Sequence, residues 1–114
     1  MVNKRALGGE KELLAAKYLQ SQGFTIIKMN YRCKTGEIDI IANDKDYLVF
    51  CEVKYRKNEN YGHPFMAINQ KKQQKIINTA KYYMLINNIS FESKIRFDVI
   101  GILGNEINHI RNAF

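Results

Sequence analysis

Aspartate 39, glutamate 52 and lysine 54 are residue types suited to metal-assisted hydrolysis: hard oxygen donors with an amine close by. Their placement carries more information than their identity. In "VFCEVKYR", Val49 to Arg56, the side chains of an extended chain alternate between faces. Phe50, Glu52 and Lys54 therefore point one way, and Val49, Cys51 and Val53 the other. The second set is an ordinary core face. The first ends in an acid beside an amine, which taken alone is also the pattern of a same-face ion pair near the open end of a strand.

Asp39 lies thirteen residues upstream of Glu52 in "GEIDIIA" (Gly36 to Ala42), which reads as another strand, and the short "NDKD" turn makes the two an antiparallel hairpin. A four-residue loop, Asp44 to Tyr47, places Ile41 opposite Phe50 and Asp39 opposite Glu52. Asp39 then shares a face with Glu52 and Lys54, while Ile38 and Ile40 join Val49, Cys51 and Val53. A slip of one residue would mismatch both sets. The hydrophobic pattern thus pairs two carboxylates that repel each other. Such a pair calls for a cation, and oxygen-only ligation suits Mg²⁺ or Mn²⁺.

A third acid comes from the helix ahead of these strands. At 100° per residue, Glu12 falls between Ala15, Ala16 and Leu19, on the stripe that faces the sheet, and Glu10 on the solvent side. Glu12 has a second reading, as a first-turn glutamate interacting with the helix dipole.

The elements that must position these residues follow from periodicity and punctuation. Met1 to Leu7 reads as a short basic tail. A helix spans Gly8 to Gln22, closed by Gly23, with Leu14, Ala15, Ala16, Tyr18 and Leu19 as its apolar stripe. Phe24 to Asn30 is the first strand, "YRCKTG" a polar connection, and Tyr47 to Lys54 the third strand. A polar loop, "YRKNENYGHP", holds Gly62 and the only proline, Pro64. A second helix runs from Phe65 to Ile86, "KIRFDVIGIL" is a fourth strand, and "EINHIRNAF" a short fifth strand with a terminal turn. The order αβββαβ(β) predicts one α/β domain over residues 1–114, a mixed central sheet flanked by helices.

The chain carries 18 Lys+Arg against 11 Asp+Glu, a net charge of +7 that favours a polyanionic partner, nucleic acid above all. No apolar run reaches the length of a membrane span and the first residues lack an apolar signal-peptide core, so a cytoplasmic protein with no membrane partner is expected. Cys33 and Cys51 make neither a disulfide framework nor zinc-ligand spacing; Cys51 reads as a core residue and Cys33 as a loop residue, both reduced.

On the second helix the apolar stripe is Ile76, Ile77, Ala80, Tyr83 and Met84. Lys72 lies nearest its edge and could reach a phosphate at the site, while Lys71 and Lys75 project further round, as phosphate contacts or as a solvated basic face. Arg56, Lys57 and Tyr61, in the loop directly after the site, are basic and aromatic groups suited to a nucleic-acid strand. Asp98 and Arg96 alternate on one strand face and read as a structural ion pair; turn chemistry accounts for Asp44 and Asp46. His63 and His109 lack metal-ligand spacing and receive no catalytic role.

Asp39, then Glu52-Val53-Lys54, after a helix bearing Glu12, resembles the PD-(D/E)xK, or restriction-endonuclease-like, nuclease superfamily, close to the archaeal Holliday junction resolvases. More closely, the chain resembles the YraN family of small bacterial proteins, through "ELLAAKYL", "GEIDIIA", "VFCEVKYR", "KKQQKIINTAKYY", "RFDV" and the closing "NAF". Ile38 stands where the superfamily places a proline, and Cys51 where valine is common; neither change removes a metal ligand. The resemblance implies a metal-dependent endonuclease acting on DNA, including branched or junction DNA. It implies Mg²⁺ or Mn²⁺ held by Asp39, Glu52 and the Val53 carbonyl, with Glu12 completing the shell directly, through water, or at a second metal. It further implies Lys54 at the reacting phosphate, and a homodimer. The competing expectation is a nucleic-acid-binding module that keeps the fold and the basic surface but performs little chemistry.

Overall fold

A computed structural model describes residues 4–58 and 68–114. Its elements are α1 (Lys4–Ser21), β1 (Thr25–Cys33), β2 (Gly36–Asp44), β3 (Tyr47–Arg56), α2 (Gln70–Ile86), β4 (Ile95–Leu103) and β5 (Glu106–Ile110). Among the described residues the strands form one sheet in the order β1-β2-β3-β4-β5. All neighbours are antiparallel except β3 and β4, which run parallel. A parallel pair needs a crossover, and α2 supplies it. The result is the expected α/β domain with a mixed sheet. No helix among the described residues is long and apolar enough to cross a membrane.

The helices cover opposite faces. Ala15, Leu19 and Phe24 pack on Ile40, Ala42, Val49, Cys51, Ile100 and Ile102. Ile76, Ala80, Tyr83 and Met84 pack on Ile38, Ile41, Leu48 and Phe50. The alanines of α1 present little side chain, so its backbone can lie close to the sheet. Gly23 ends that helix at φ 93°: its amide bonds to the Gln20 carbonyl and the Phe24 amide to that of Leu19, both at 3.0 Å. This is a Schellman cap, which a glycine in the left-handed region permits. Asn69 caps α2 by accepting the Lys72 amide at 2.8 Å.

Several boundaries differ from the sequence reading. Helix α1 begins at Lys4, within the expected tail, and Leu14 is exposed, so the buried stripe is Ala15, Ala16 and Leu19. Strand β1 runs through Tyr31, Arg32 and Cys33, which places Cys33 in a strand instead of a loop. Helix α2 starts only after its Asn69 cap; Phe65 to Ala67 lie outside the described residues, as do Gly62, His63 and Pro64.

The largest correction concerns the faces of β2. Met29 pairs with Ile40 and both join the α1-side core, yet Tyr31 pairs with Ile38 and both join the α2-side core. Pairs two residues apart should share a face. The exchange is concentrated between them, at Asn30, whose φ is 54°, and at Asp39, after a register shift between Ile26 and Lys28. Ile38 therefore packs with Ile41 and Phe50, not with Val49, Cys51 and Val53. Asp39 sits where the hairpin rotates.

Candidate metal centre

The β2–β3 ladder confirms Ile41 opposite Phe50 but ends at Ile40–Cys51, one residue short of the expected Asp39–Glu52 pair. Beyond that point β3 continues alongside β4 as far as Arg56–Leu103, while β2 stays with β1 down to Gly36. The two central strands part like a fork. At its mouth the Asp39 carboxylate accepts the Val53 amide hydrogen at 2.8 Å, replacing the ladder bond that the parting strands no longer offer.

Asp39 and Glu52 are both buried, at 6% and 4% relative exposure. Two ammonium groups approach the Glu52 carboxylate: Lys54 at 3.5 Å from its own strand and Lys72 at 3.8 Å from α2. Lys72 thus reaches the centre from the edge of its helix, as its position on the stripe suggests. Lys54 is about one-quarter exposed, so it faces both the acid and the solvent-open end of the fork.

Glu12 is half-buried on α1 with Glu10 exposed, the orientation expected from helical phase. Burial, then the charge of Asp39, pushes the Glu12 carboxyl up to about 7, against a hydrogen bond from the Asn30 side chain. Glu52 is also pushed up to about 7, by burial and then by Asp39, with Lys72 and Lys54 opposing. Burial likewise raises Asp39, while the Val53 hydrogen bond and the two lysines hold it down. Glu12, Asp39 and Glu52 interact in a row, with Asp39 in the middle. Among the described residues, no three His, Cys, Asp or Glu side chains converge as a metal cage. Glu12 is accordingly not drawn into a closed three-acid shell.

The donor set nevertheless suits a hard divalent cation. Its side chains are carboxylates, two of them are desolvated, and the charge of Asp39 raises the proton affinity of Glu52, which a cation would relieve. Mg²⁺ keeps several waters and needs only one or two protein carboxylates. The pair Asp39 and Glu52 meets that requirement.

The residues expected to contact nucleic acid fall into three groups. Lys71 and Lys75 are exposed on α2 and Lys72 is half-buried. Arg56 is the last residue of β3, not a loop residue, and donates to the Tyr55 carbonyl; Lys57 follows it, exposed. Tyr61 lies outside the described residues.

Sequence reasoning missed Asn30 and Glu37. Asn30 supports Glu12, and Glu37 adds negative charge that raises both Glu12 and Asp39. Glu37 could have been found two positions before Asp39, but nothing in the sequence marks Asn30 as left-handed. Away from the centre, the Arg96–Asp98 pair proves part of a larger buried network. Arg96 binds Asp98 at 2.8 and 2.9 Å and Asp44 at 3.0 Å; His109 Nε2 and the Asn112 amide also reach Asp98, at 2.7 and 3.0 Å. Asp44 is therefore a partner of Arg96 as well as a strand-end residue. Cys51 is buried in the core, as expected.

The model of the uncharacterised protein family UPF0102 matches residues 11–102, a span that contains Glu12, Asp39, Glu52, Lys54 and Lys72. A UPF0102 protein of Lachnoclostridium phytofermentans is 51% identical over 113 residues, covering 99% of this chain and 96% of that one. One from Clostridioides difficile is 46% identical over 115 residues, covering 99% and 100%. Another, from Caldanaerobacter subterraneus, is 42% identical over 120 residues, covering 99% and 98%. The chain belongs to the YraN-like UPF0102 family.

Proposed function

We propose that this protein is a metal-dependent endonuclease of the PD-(D/E)xK type, with a restriction-endonuclease-like core, that hydrolyses phosphodiester bonds in DNA, branched DNA included. The observation that carries this reading is the fork: two buried carboxylates, Asp39 and Glu52, with Asp39 bound to the Val53 amide at 2.8 Å and Lys54 and Lys72 against Glu52. A merely structural site has no need to bury acids that repel each other.

Asp39, Glu52 and the Val53 carbonyl would hold Mg²⁺ or Mn²⁺, with Glu12 acting through water. When bound, the ion supplies a Lewis acid for the phosphoryl group and a more acidic water. The chain's own residues do the rest. The Val53 amide fixes the Asp39 carboxylate in one orientation, so the donor does not have to be ordered at the moment of reaction. Lys54 presents a fixed positive charge to the oxygens that gain negative charge in the transition state. Its ammonium lies 3.5 Å from the Glu52 carboxylate, which holds it at the centre. Lys72 offers a second cation to the phosphate, and the excess of basic residues draws the polyanion in.

The test is a panel of linear, flapped and four-way-junction DNA, with matching RNA, incubated with Mg²⁺ or Mn²⁺. Cleavage by the wild type that is absent in Asp39→Asn and in EDTA is expected. Reproducible binding with no cleavage of any member would leave a binding module in its place.

A further inference from the structure

Helix α2 links the candidate metal centre to a cavity that the chemistry above does not use. The cavity, about 650 Å³, lies at the β1–β2 turn, between Tyr31, Arg32 and Lys34 on the hairpin and Tyr82 and Ile86 on α2. That volume is within the ~300–1,000 Å³ of small-molecule sites. Its lining is mostly apolar, its rim carries Lys34 and Arg32, the latter paired with Glu37 at 2.8 Å, and no acidic side chain lines it.

The floor is held firmly. Thr79, fully buried, shares a hydrogen bond with the Thr35 hydroxyl at 3.1 Å and donates to the Lys75 carbonyl at 2.8 Å. Gly36 brings the turn so close that a Cβ there would stand 3.1 Å from the Thr79 hydroxyl. Tyr31 is braced edge-on by Tyr83 at 5.1 Å between ring centroids. Tyr82, by contrast, is 44% exposed.

Lys75, Thr79, Tyr82 and Ile86 occur at helical spacing and form one stripe along α2. At 1.5 Å per residue the stripe carries the chain about 15 Å from the level of Lys72, beside Glu52, to Tyr82. Cations therefore lead from the carboxylates to an aromatic cavity. A ligand that repeats a phosphate and a flat ring along its length matches this order of groups; an apolar peptide would offer nothing to Lys34 and Lys75.

We infer that this cavity is a subsite for an unpaired nucleotide of the substrate strand, with its base stacked on Tyr82 and its flanking phosphates met by Lys34 and Lys75. The inference rests on the reading of the protein as one that acts on nucleic acid, and it narrows the substrate to nucleic acid with a single-stranded portion. A paired base inside a duplex has no exposed face to give to Tyr82.

The test is fluorescence anisotropy in EDTA, so that no cleavage intervenes, with a labelled single-stranded oligothymidylate and a blunt duplex of equal length. Tyr82→Ala is expected to weaken single-strand binding by about tenfold, the scale of one lost base–aromatic stack, and to leave duplex binding unchanged. Tyr82→Phe keeps the ring and is expected to bind like the wild type. Because Tyr82 is exposed, thermal melts of these variants should match the wild type. Unchanged single-strand binding in Tyr82→Ala, as for a cavity built for an apolar peptide, overturns the inference. So does an equal loss on duplex, or no binding by the wild type. If Tyr82→Ala has no effect while metal-dependent cleavage stands, the subsite falls and the nuclease reading survives. Tyr82-dependent single-strand binding without cleavage of any substrate supports the subsite and removes the nuclease.

Discussion

The Asp39 carboxylate accepts the backbone amide hydrogen of Val53 at 2.8 Å, across the point where β2 and β3 part. One side chain thereby does two things. It satisfies an amide that the broken ladder would leave unpaired, and it anchors an acid in a place where burial raises its affinity for protons.

That double role separates two substitutions. Asp39→Asn retains an acceptor for the Val53 amide and removes one charge from the row of acids, so its thermal stability should equal or exceed that of the wild type. Specific Mn²⁺ binding should be lost, because a single buried carboxylate remains. Asp39→Ala also orphans the amide and should lose about 1–3 kcal/mol. Calorimetry showing equal Mn²⁺ affinity in wild type and Asp39→Asn would remove the metal from this centre.

The acids also set a pH dependence. Glu52 has an ordinary pKa of 4.5 and one of about 7 when folded, raised first by burial and then by Asp39. A group raised in this way favours the folded state while protonated, and that benefit is lost as pH rises from about 4.5 through about 7. For a side chain this buried, the loss is on the order of 3 kcal/mol. Thermal melts should therefore fall between pH 5 and pH 8, and Mn²⁺ should restore stability at pH 8 but not at pH 5. Glu52→Gln should flatten much of the slope. A wild-type melting temperature that neither falls over this range nor responds to Mn²⁺ would contradict the assignment.

Alternation within β3 was enough to place Glu52 and Lys54 together, and turn length was enough to set Ile41 against Phe50. Both follow from local geometry. The fork was not legible, because it depends on where pairing stops, and pairing stops for a tertiary reason. Asn30 adopts a left-handed φ of 54° that the residue type allows but does not demand, and the hairpin exchanges faces there. A strict period of two therefore misplaced Ile38. The Asp98 network was half legible: Arg96 stands two residues from Asp98 on the same face, whereas His109 arrives on β5 and Asp44 on β2. Helical phase placed Glu12 and Lys72 correctly, since both helices present one stripe to the sheet.

That network carries structural weight of its own. Burial alone would raise the Asp98 carboxyl, but hydrogen bonds from His109, Arg96 and the Asn112 amide hold it below the ordinary range. Its contribution is present above the ordinary 3.8 and is lost as pH falls through the lower folded value. Arg96→Leu takes the guanidinium from Asp98 and leaves Asp44 only the more exposed Arg111, at 3.4 Å, and should cost about 3–5 kcal/mol in urea denaturation. Adding Asp98→Asn should recover part of that loss. Two single losses that simply add would mean the pair does not act as a unit.

The basic face of α2 makes a different demand. Lys71 and Lys75 are exposed, and if they meet phosphates they displace counterions on binding. Changing both to alanine should make the fall of log affinity with log salt shallower by about 2 on duplex DNA, where each phosphate contact contributes close to 1. An unchanged slope would put the binding face elsewhere on the molecule.

Lys54 decides between an enzyme and a binding module. Its ammonium lies 3.5 Å from the Glu52 carboxylate and is one of 18 basic side chains. Removing it changes the long-range field little, so Lys54→Ala should bind DNA almost as the wild type does. Cleavage depends on charge that develops only as the phosphodiester reacts, and a preorganised cation stabilises that charge without affecting the ground state. Loss of such a group typically costs on the order of 10²-fold or more in rate. Lys54→Ala should therefore show a large fall in single-turnover cleavage with binding retained, and Lys54→Arg a partial recovery, because a wider guanidinium keeps the charge but not its position. Cleavage that persists equally in Lys54→Ala and Asp39→Asn would come from a contaminating nuclease. Binding lost in step with cleavage would make Lys54 a substrate anchor instead of a group that acts on the transition state.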